Sequence, residues 1–326
     1  MLTLPRFDWV RPRTIDALLG HLGDHAADSL LLAGGTDAVP NLKHRLHEPR
    51  YVVAIGGIAE LHFIRHEADG LHLGPLVTLD TIATEPRIRT EFPSLARAAS
   101  LVAGPQLRNM GTLGGNLCLD TRCTYYNQTF FWRESLGFCL KKSGTVCHVI
   151  TQGKRCVAAH SSDTAPVLIS LGAQLEIVNQ SGRKLVSVED FFVPDGVHNN
   201  ILEPGDVVTR IVIPAASRGM KAGYQKLRPR ASIDFPMLSV AFAATLNGTA
   251  ESGRLVVSAI AAKPRSINGV DDIVRGKALD METATALGEL AFKQCQPLIN
   301  VAYDQAYRRS MVPVFVRRAV LEAAAT

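Results

Sequence analysis

Leu31 to Pro40, LLAGGTDAVP, runs from an apolar strand-like segment across two adjacent glycines into a helix-like one. That junction constrains the fold strongly, because glycine lets a strand stop and a helix start with almost no connecting chain. Before it, Thr14 to Leu22 has the periodicity of an amphipathic helix behind a Thr cap, and SLLLAGG reads as a buried strand. After it, Asp37 to Leu46 reads as a helix and YVVAIGG as a second strand. The alternation predicts a small unit of βαβ type.

Signals are mixed from Leu61 to Pro214. Strands are expected at LHLGPLV, LEIVNQ and VVTRIVI, and helices at SLARAASLV and SDTAPVLISLG. This predicts a second, α+β unit. Beyond Pro214 a strand pair is expected at GYQKLRPR and MLSVAFAATL, split by the charged stretch Arg228 to Pro236. A strand at RLVVSAIAA and helices at Met281 to Gln294 and Asp304 to Ala324 complete a third unit. No repeat of 20 to 50 residues is present.

Gly34 and Gly35 sit where a helix would begin, a position that offers free N–H groups and a positive helix end to a phosphate. Thr36 and Asp37 could cap that helix. A second loop, NMGTLGGNL from Asn109 to Leu117, places Gly111, Gly114 and Gly115 among Thr112 and Asn116, again with several backbone donors. Neither loop carries the Lys-Ser/Thr of a nucleotide P-loop or the G-x-G-x-x-G of a dinucleotide fold. The net charge of +5 comes without a dense basic stripe, which argues against a nucleic-acid binder. The longest apolar runs, such as Val240 to Leu246, are too short to span a bilayer, and a cytoplasmic location with reduced thiols is expected.

The order of segments is the specific signal. LLAGGTD, LGPLVTLDTI, QLRNMGTLGGN, SSDTAPVLISLGA, FFVPDGVHNNILEPGDVVTRIVIP and YQKLRPRASIDFPMLSVAF together resemble the FAD-binding medium subunit of the molybdenum hydroxylases, the xanthine dehydrogenase and carbon monoxide dehydrogenase family. The resemblance covers residues 1–265 and weakens beyond them. It implies an α+β chain with a two-subdomain, PCMH-type FAD-binding fold over residues 1–216, divided at 57/58, and a smaller α/β C-terminal domain over residues 217–326. FAD is the implied cofactor. The resemblance puts Leu31, Leu32, Ala33, Gly34, Gly35, Thr36 and Asp37, with Asn109, Thr112, Gly115 and Asn116, around the pyrophosphate. It puts Thr78 near the flavin, Asp163 at the adenosine end and Lys226 by the isoalloxazine. It also implies a large molybdenum-cofactor subunit and a small 2Fe-2S subunit as partners, in a dimer of heterotrimers. The chain would then be an electron conduit of an oxidoreductase, with no catalytic residue of its own. Read without the resemblance, Asp163 is equally an N-cap, Thr78 a turn residue, Lys226 and Arg228 solvated charges, and Arg108 the partner of a phosphate or a carboxylate.

One region departs from the family pattern. The GGN loop normally leads shortly into the SD segment, whereas here 46 residues separate Gly115 from Ser162, so an insert spans about 118–159. It holds Cys123-x15-Cys139-x7-Cys147-x8-Cys156. Disulfides do not suit a reducing compartment. A structural zinc normally uses close C-x2-4-C pairs, and none is present. An iron–sulfur cluster accepts wider spacing, so a 4Fe-4S cluster on these four cysteines is expected, with zinc as the rival. Six Lys or Arg (Arg122, Arg133, Lys141, Lys142, Lys154, Arg155) against Glu134 alone would stabilise such a centre or dock an acidic, ferredoxin-type donor, unless they are a solvated surface. Six aromatics, from Tyr125 to Phe138, could form a local core or a subunit contact. An insert of this kind resembles the reductive branch of the family, in which electrons from a low-potential donor pass inward and a phenolic hydroxyl is removed from an aromatic CoA thioester; the alternative is the FAD subunit of an oxidative molybdenum hydroxylase, with electrons passing outward and the insert a zinc-stapled assembly element. Cys118 is assigned to the flavin loop and Cys295 to a core. His21 with His25 and His62 with His66 are expected to be ordinary surface residues.

Overall fold

A computed structural model describes residues 2–326. It contains three sheets, each with its own helical cover, and in mixing helices with these sheets it is the α+β fold expected. The first sheet is parallel, in the order β1 (Asp8–Val10), β3 (Tyr51–Ala54), β2 (Ser29–Leu32). Its helix Ile15–His25 starts at Thr14, whose hydroxyl accepts from Ala17 N at 3.1 Å, and Leu18 and Leu22 point into the core one turn apart.

The second sheet is antiparallel: β4 (Ile64–His66), β5 (Gly70–Leu73), β8 (Val207–Pro214), β6 (Gln174–Asn179), β7 (Gly182–Ser187). Helices Leu79–Thr84, Pro93–Ser100 and Thr164–Ser170 cover it. The third sheet, β9 (Lys221–Leu227), β10 (Leu238–Asn247), β11 (Thr249–Ser258), β12 (Arg265–Ser266), is antiparallel and carries helices Met281–Gln294 and Gln305–Ala325.

The apolar run in β10 has a structural reason. Val240, Phe242 and Ala244 face the C-terminal helices, while Ala241 and Ala243 face the middle unit's core. A strand buried on both faces shows no polar alternation, and the alanines on one side let the two units approach closely.

Three strands, β1, β7 and the two-residue β12, had no readable signal. β1 has three residues and is tied on by Asp8 N donating to Arg50 O at 2.8 Å. β7 is an edge strand bearing Arg183 and Lys184, a pattern that resists edge pairing and reads locally as loop. β11 begins at Thr249, earlier than its apolar segment, because Gly248 at φ 73° turns the chain directly back onto β10. The insert has only one α-helix, Phe130–Ser135, and is otherwise turns. No described helix is long and apolar enough to cross a membrane.

β9 lies so close to the last helix that a Cβ on Gly223 would sit 2.1 Å from Ala319 O. Gly223→Ala is therefore expected to destabilise the protein by about 1–3 kcal/mol, measured by chemical denaturation; wild-type stability would show that this contact yields.

Candidate functional site

Both glycine loops open on one cavity of about 640 Å³. They are locked together by backbone. A Cβ on Gly34 would lie 1.7 Å from Met110 O, so only glycine permits this approach of the loops. Thr78 bridges Thr112, Leu79 N donates to Gly111 O at 2.8 Å, and Leu113 N donates to Val77 O at 2.9 Å. Thr112 caps the short helix Leu113–Leu117, accepting from Gly115 N at 3.1 Å.

Ten of the expected cofactor residues line this cavity: Leu31, Ala33, Gly34, Gly35, Thr36, Asp37, Thr112, Gly115, Asn116 and Asp163. Leu32, Thr78, Asn109 and Lys226 do not. Leu32 packs behind Gly35. Thr78 caps the next helix through Thr81 N, and Asn109 is exposed at a helix end. Lys226 is turned away because its ammonium donates to Asp163 Oδ2 at 2.9 Å and Leu101 O at 3.1 Å in a fully buried pair. It is thus neither a solvated charge nor part of the cavity wall, although it holds a residue that is.

Several local roles differ from the sequence reading. Asp163 stands at the helix N-cap position without a side-chain cap bond; Ser162 Oγ accepts from Ala165 N instead, at 3.1 Å. Burial pushes the Asp163 carboxyl up, against Lys226 and a 2.6 Å bond from the Tyr224 hydroxyl. Asp37 likewise makes no cap: it accepts from Asn41 at 3.0 Å and pairs with Arg122. Arg108 meets neither phosphate-facing space nor carboxylate and donates to Val102 O at 2.9 Å. Cys118 lines this cavity, whereas Cys295 is buried in the C-terminal core. His21 and His25 stack with each other and on Tyr51.

Other lining residues carried no sequence signal. Ser161 Oγ is buried without a partner beside the cavity, a hydroxyl waiting for an acceptor or donor. The charged stretch before β10 folds over the opening, with Ile233 N bonded to Ala103 O at 3.1 Å and both residues at positive φ, 71° and 43°. Positive φ at isoleucine is strained. Phe235 stacks under Arg122, 3.7 Å from guanidinium to ring centroid. A cavity of this volume, two glycine loops and an unpaired buried hydroxyl fit a dinucleotide such as FAD.

Cys123, Cys139, Cys147 and Cys156 line a separate gap of about 20 Å³. All are free thiols. Their positions come from tertiary contacts. Arg122 and Ala159 exchange backbone bonds at 2.8 and 2.7 Å, closing the neck of the insert. Cys139 packs with Leu46 and Tyr126 in a turn where Phe138 and Ser143 adopt positive φ. Cys156 Sγ accepts from Ala158 N at 3.5 Å, and a Cβ on Gly196 would lie 2.7 Å from that sulfur. Gly196 carried no sequence signal because it is remote in the chain. No three of the sulfurs lie mutually within 4.8 Å. Burial pushes Cys123 up to about 11, and neighbouring thiols add to it, so binding a metal centre would release protons.

The insert's cations divide. Arg122 pairs with Asp37, Arg133 is buried with bonds to His44 O and Arg45 O, and Lys141 is buried against Asp120. Lys154 and Arg155 remain exposed. The expected basic face is thus half turned inward. Tyr126 is buried, but Phe130, Phe131 and Trp132 are exposed, so the aromatics form only part of a local core.

Two substitutions separate the sites. On Gly115 a Cβ meets only Thr112 Oγ1, at 3.0 Å, and otherwise points into open space. Gly115→Val should leave the fold within about 1 kcal/mol of wild type yet abolish most flavin occupancy, read by absorbance; full flavin would contradict the placement of the loop. Gly196→Ala should displace the Cys156 sulfur while flavin occupancy stays at the wild-type level, and any metal centre held by the four thiols would be lost with it, as read by absorbance and metal analysis.

Comparison with known proteins agrees with this geometry. Residues 5–216 match the FAD binding domain in molybdopterin dehydrogenase, and residues 223–323 the CO dehydrogenase flavoprotein C-terminal domain. The chain is 27% identical to the carbon monoxide dehydrogenase medium chain of Hydrogenophaga pseudoflava, over 97% of this chain and 96% of that one. It is 31% identical to the aldehyde oxidoreductase FAD-binding subunit of Escherichia coli, over 74% and 77% of the two chains. It is 25% identical to the nicotine 6-hydroxylase medium subunit of Paenarthrobacter nicotinovorans, over 99% of each. A solved structure of the Hydrogenophaga pseudoflava carbon monoxide dehydrogenase superposes with a TM-score of 0.81 at 25% identity, covering 99% of both chains. The chain therefore belongs to the FAD-binding subunits of the molybdopterin dehydrogenase family, as an oxidoreductase subunit with a two-part FAD domain and a CO dehydrogenase-type C-terminal domain.

Proposed function

We propose that this chain is the electron-transfer subunit of a molybdenum-dependent hydroxylase or dehydrogenase and that it carries a second redox group, a 4Fe-4S cluster on Cys123, Cys139, Cys147 and Cys156, beside its FAD. The observation that carries the second group is the spacing of the thiols. Tetrahedral zinc, with Zn–S bonds of about 2.3 Å, needs sulfurs roughly 3.8 Å apart. Four thiols around one gap, with no three mutually within 4.8 Å, suit the larger iron–sulfide core instead. FAD, held by the two glycine loops, supplies exchange between two-electron and one-electron chemistry when bound. The chain's own residues orient it, exclude water, and hold the two groups on either side of the Asp120–Lys141 pair.

The named relatives are a dehydrogenase, an oxidoreductase and a hydroxylase. They favour partners of the molybdenum-hydroxylase kind, a large molybdenum-cofactor subunit and a small 2Fe-2S subunit; a dimer of heterotrimers rests on the family resemblance alone. They also favour oxidation of substrate, with electrons leaving through this chain. A second reading is favoured by the cysteine insert alone: a subunit of the 4-hydroxybenzoyl-CoA reductase type, with electrons entering from a ferredoxin-type donor. The internal pairing of Arg122, Arg133 and Lys141 weakens the charge argument for that acidic donor.

Anaerobic purification followed by iron, sulfide, zinc and flavin analysis is the test. About four irons and four sulfides per flavin are expected, and Cys139→Ser or Cys147→Ser should lose iron but keep flavin. One zinc without sulfide overturns the cluster. Reduction of 4-hydroxybenzoyl-CoA by the assembled complex with a low-potential donor would establish the second reading; failure with that donor, alongside substrate-dependent reduction of an acceptor dye, would leave the oxidative one.

A further inference from the structure

The cysteine gap and the large cavity share a wall, and the wall is charged. Lys141 lines the gap and Asp120 lines the cavity. Lys141 Nζ donates to Asp120 Oδ1 at 2.6 Å, while the Tyr126 hydroxyl, from the gap side, donates to Asp120 Oδ2 at 2.9 Å. His47, from the cavity side, lies 3.7 Å from the same oxygen. Among the described residues Lys141 is the one lysine or arginine lining the gap, and its side chain is 5% exposed.

The ammonium has almost no freedom. It donates to Gly196 O at 2.6 Å and Thr121 O at 3.3 Å, and it lies 4.5 Å from the Tyr126 ring centroid. Gly196 is also the residue packed against Cys156 Sγ, so one loop anchors both the cation and a thiol. Against the cost of its own burial, His47 and Lys141 hold the Asp120 carboxyl down to about 2, so a full negative charge faces the cavity.

We propose that Lys141 is a positioning residue that sets the reduction potential of the redox group on the four thiols, with Asp120 as its counter-charge on the flavin side; this rests on the iron–sulfur reading above. A group that gains one electron becomes more negative, and a fixed, buried cation beside it favours the reduced form, an effect that low dielectric strengthens. The carboxylate offsets part of that cation. Removing the two charges must therefore move the potential in opposite directions, which a packing role does not require.

The experiment is an EPR-monitored redox titration of the anaerobically purified full chain and its variants. Lys141→Met should shift the cluster potential to more negative values, Asp120→Asn to more positive ones, and Lys141→Arg should stay near wild type. Should Lys141→Met fail to hold iron, the Asp120→Asn and Lys141→Arg pair decides: a positive shift in the first with none in the second supports the proposal. Unmoved potentials, or shifts of the same sign for Lys141→Met and Asp120→Asn, overturn it while leaving the cluster standing. Zinc without sulfide in the wild-type chain overturns the iron–sulfur reading and this inference together.

Discussion

The side-chain oxygen of Asn116 holds the GGN loop in register with the segment that follows the insert, two walls of one cavity. It accepts from Ser162 Oγ at 2.7 Å, Thr164 Oγ1 at 2.7 Å and Thr164 N at 3.2 Å, all buried. Through it the GGN loop meets the start of the helix Thr164–Ser170, although 47 residues of chain lie between Asn116 and Thr164. Each such bond contributes about 0.5–1.5 kcal/mol, and a buried partner left unpaired costs about 1–3 kcal/mol. The clasp therefore fixes the cavity floor whatever the intervening segment does. The backbone pairing of Arg122 with Ala159 then lets the insert leave and return as a closed loop.

Within that loop, buried cations substitute for a hydrophobic core too small to stand alone. Arg133 ties the insert to the first subdomain through the carbonyls of His44 and Arg45. Lys141 ties it to Gly196 in the loop before β8, and Asn300 accepts from Thr124 N at 2.9 Å, reaching from the C-terminal domain. Three separate parts of the chain thus hold the thiols. A segment with one short α-helix gains rigidity this way that local propensity does not supply.

Elements with strong periodicity or caps were legible in the sequence: the Thr14-capped helix, the strands at Leu30 and Val52, and the C-terminal helix behind Asp304. Edge and very short strands were not, because β1 and β7 are defined by their partners rather than by their own residues. The glycine loops were legible as a cofactor cradle since close backbone approach demands glycine. The side-chain duties around them were not: whether Asp163 caps a helix or pairs with Lys226 depends on what β9 brings against it.

The sequence by itself determined the family and the glycine loops of the cavity, because segment order and glycine at a tight junction are properties of residue type and position along the chain. Tertiary structure alone decided that the four thiols surround one gap, that Lys226 faces Asp163 instead of the cavity, and that Lys141 and Asp120 stand between the two sites. Those outcomes depend on which remote segments share a low-dielectric interior, where an unpaired charge is too costly to leave and partners are chosen by proximity in space.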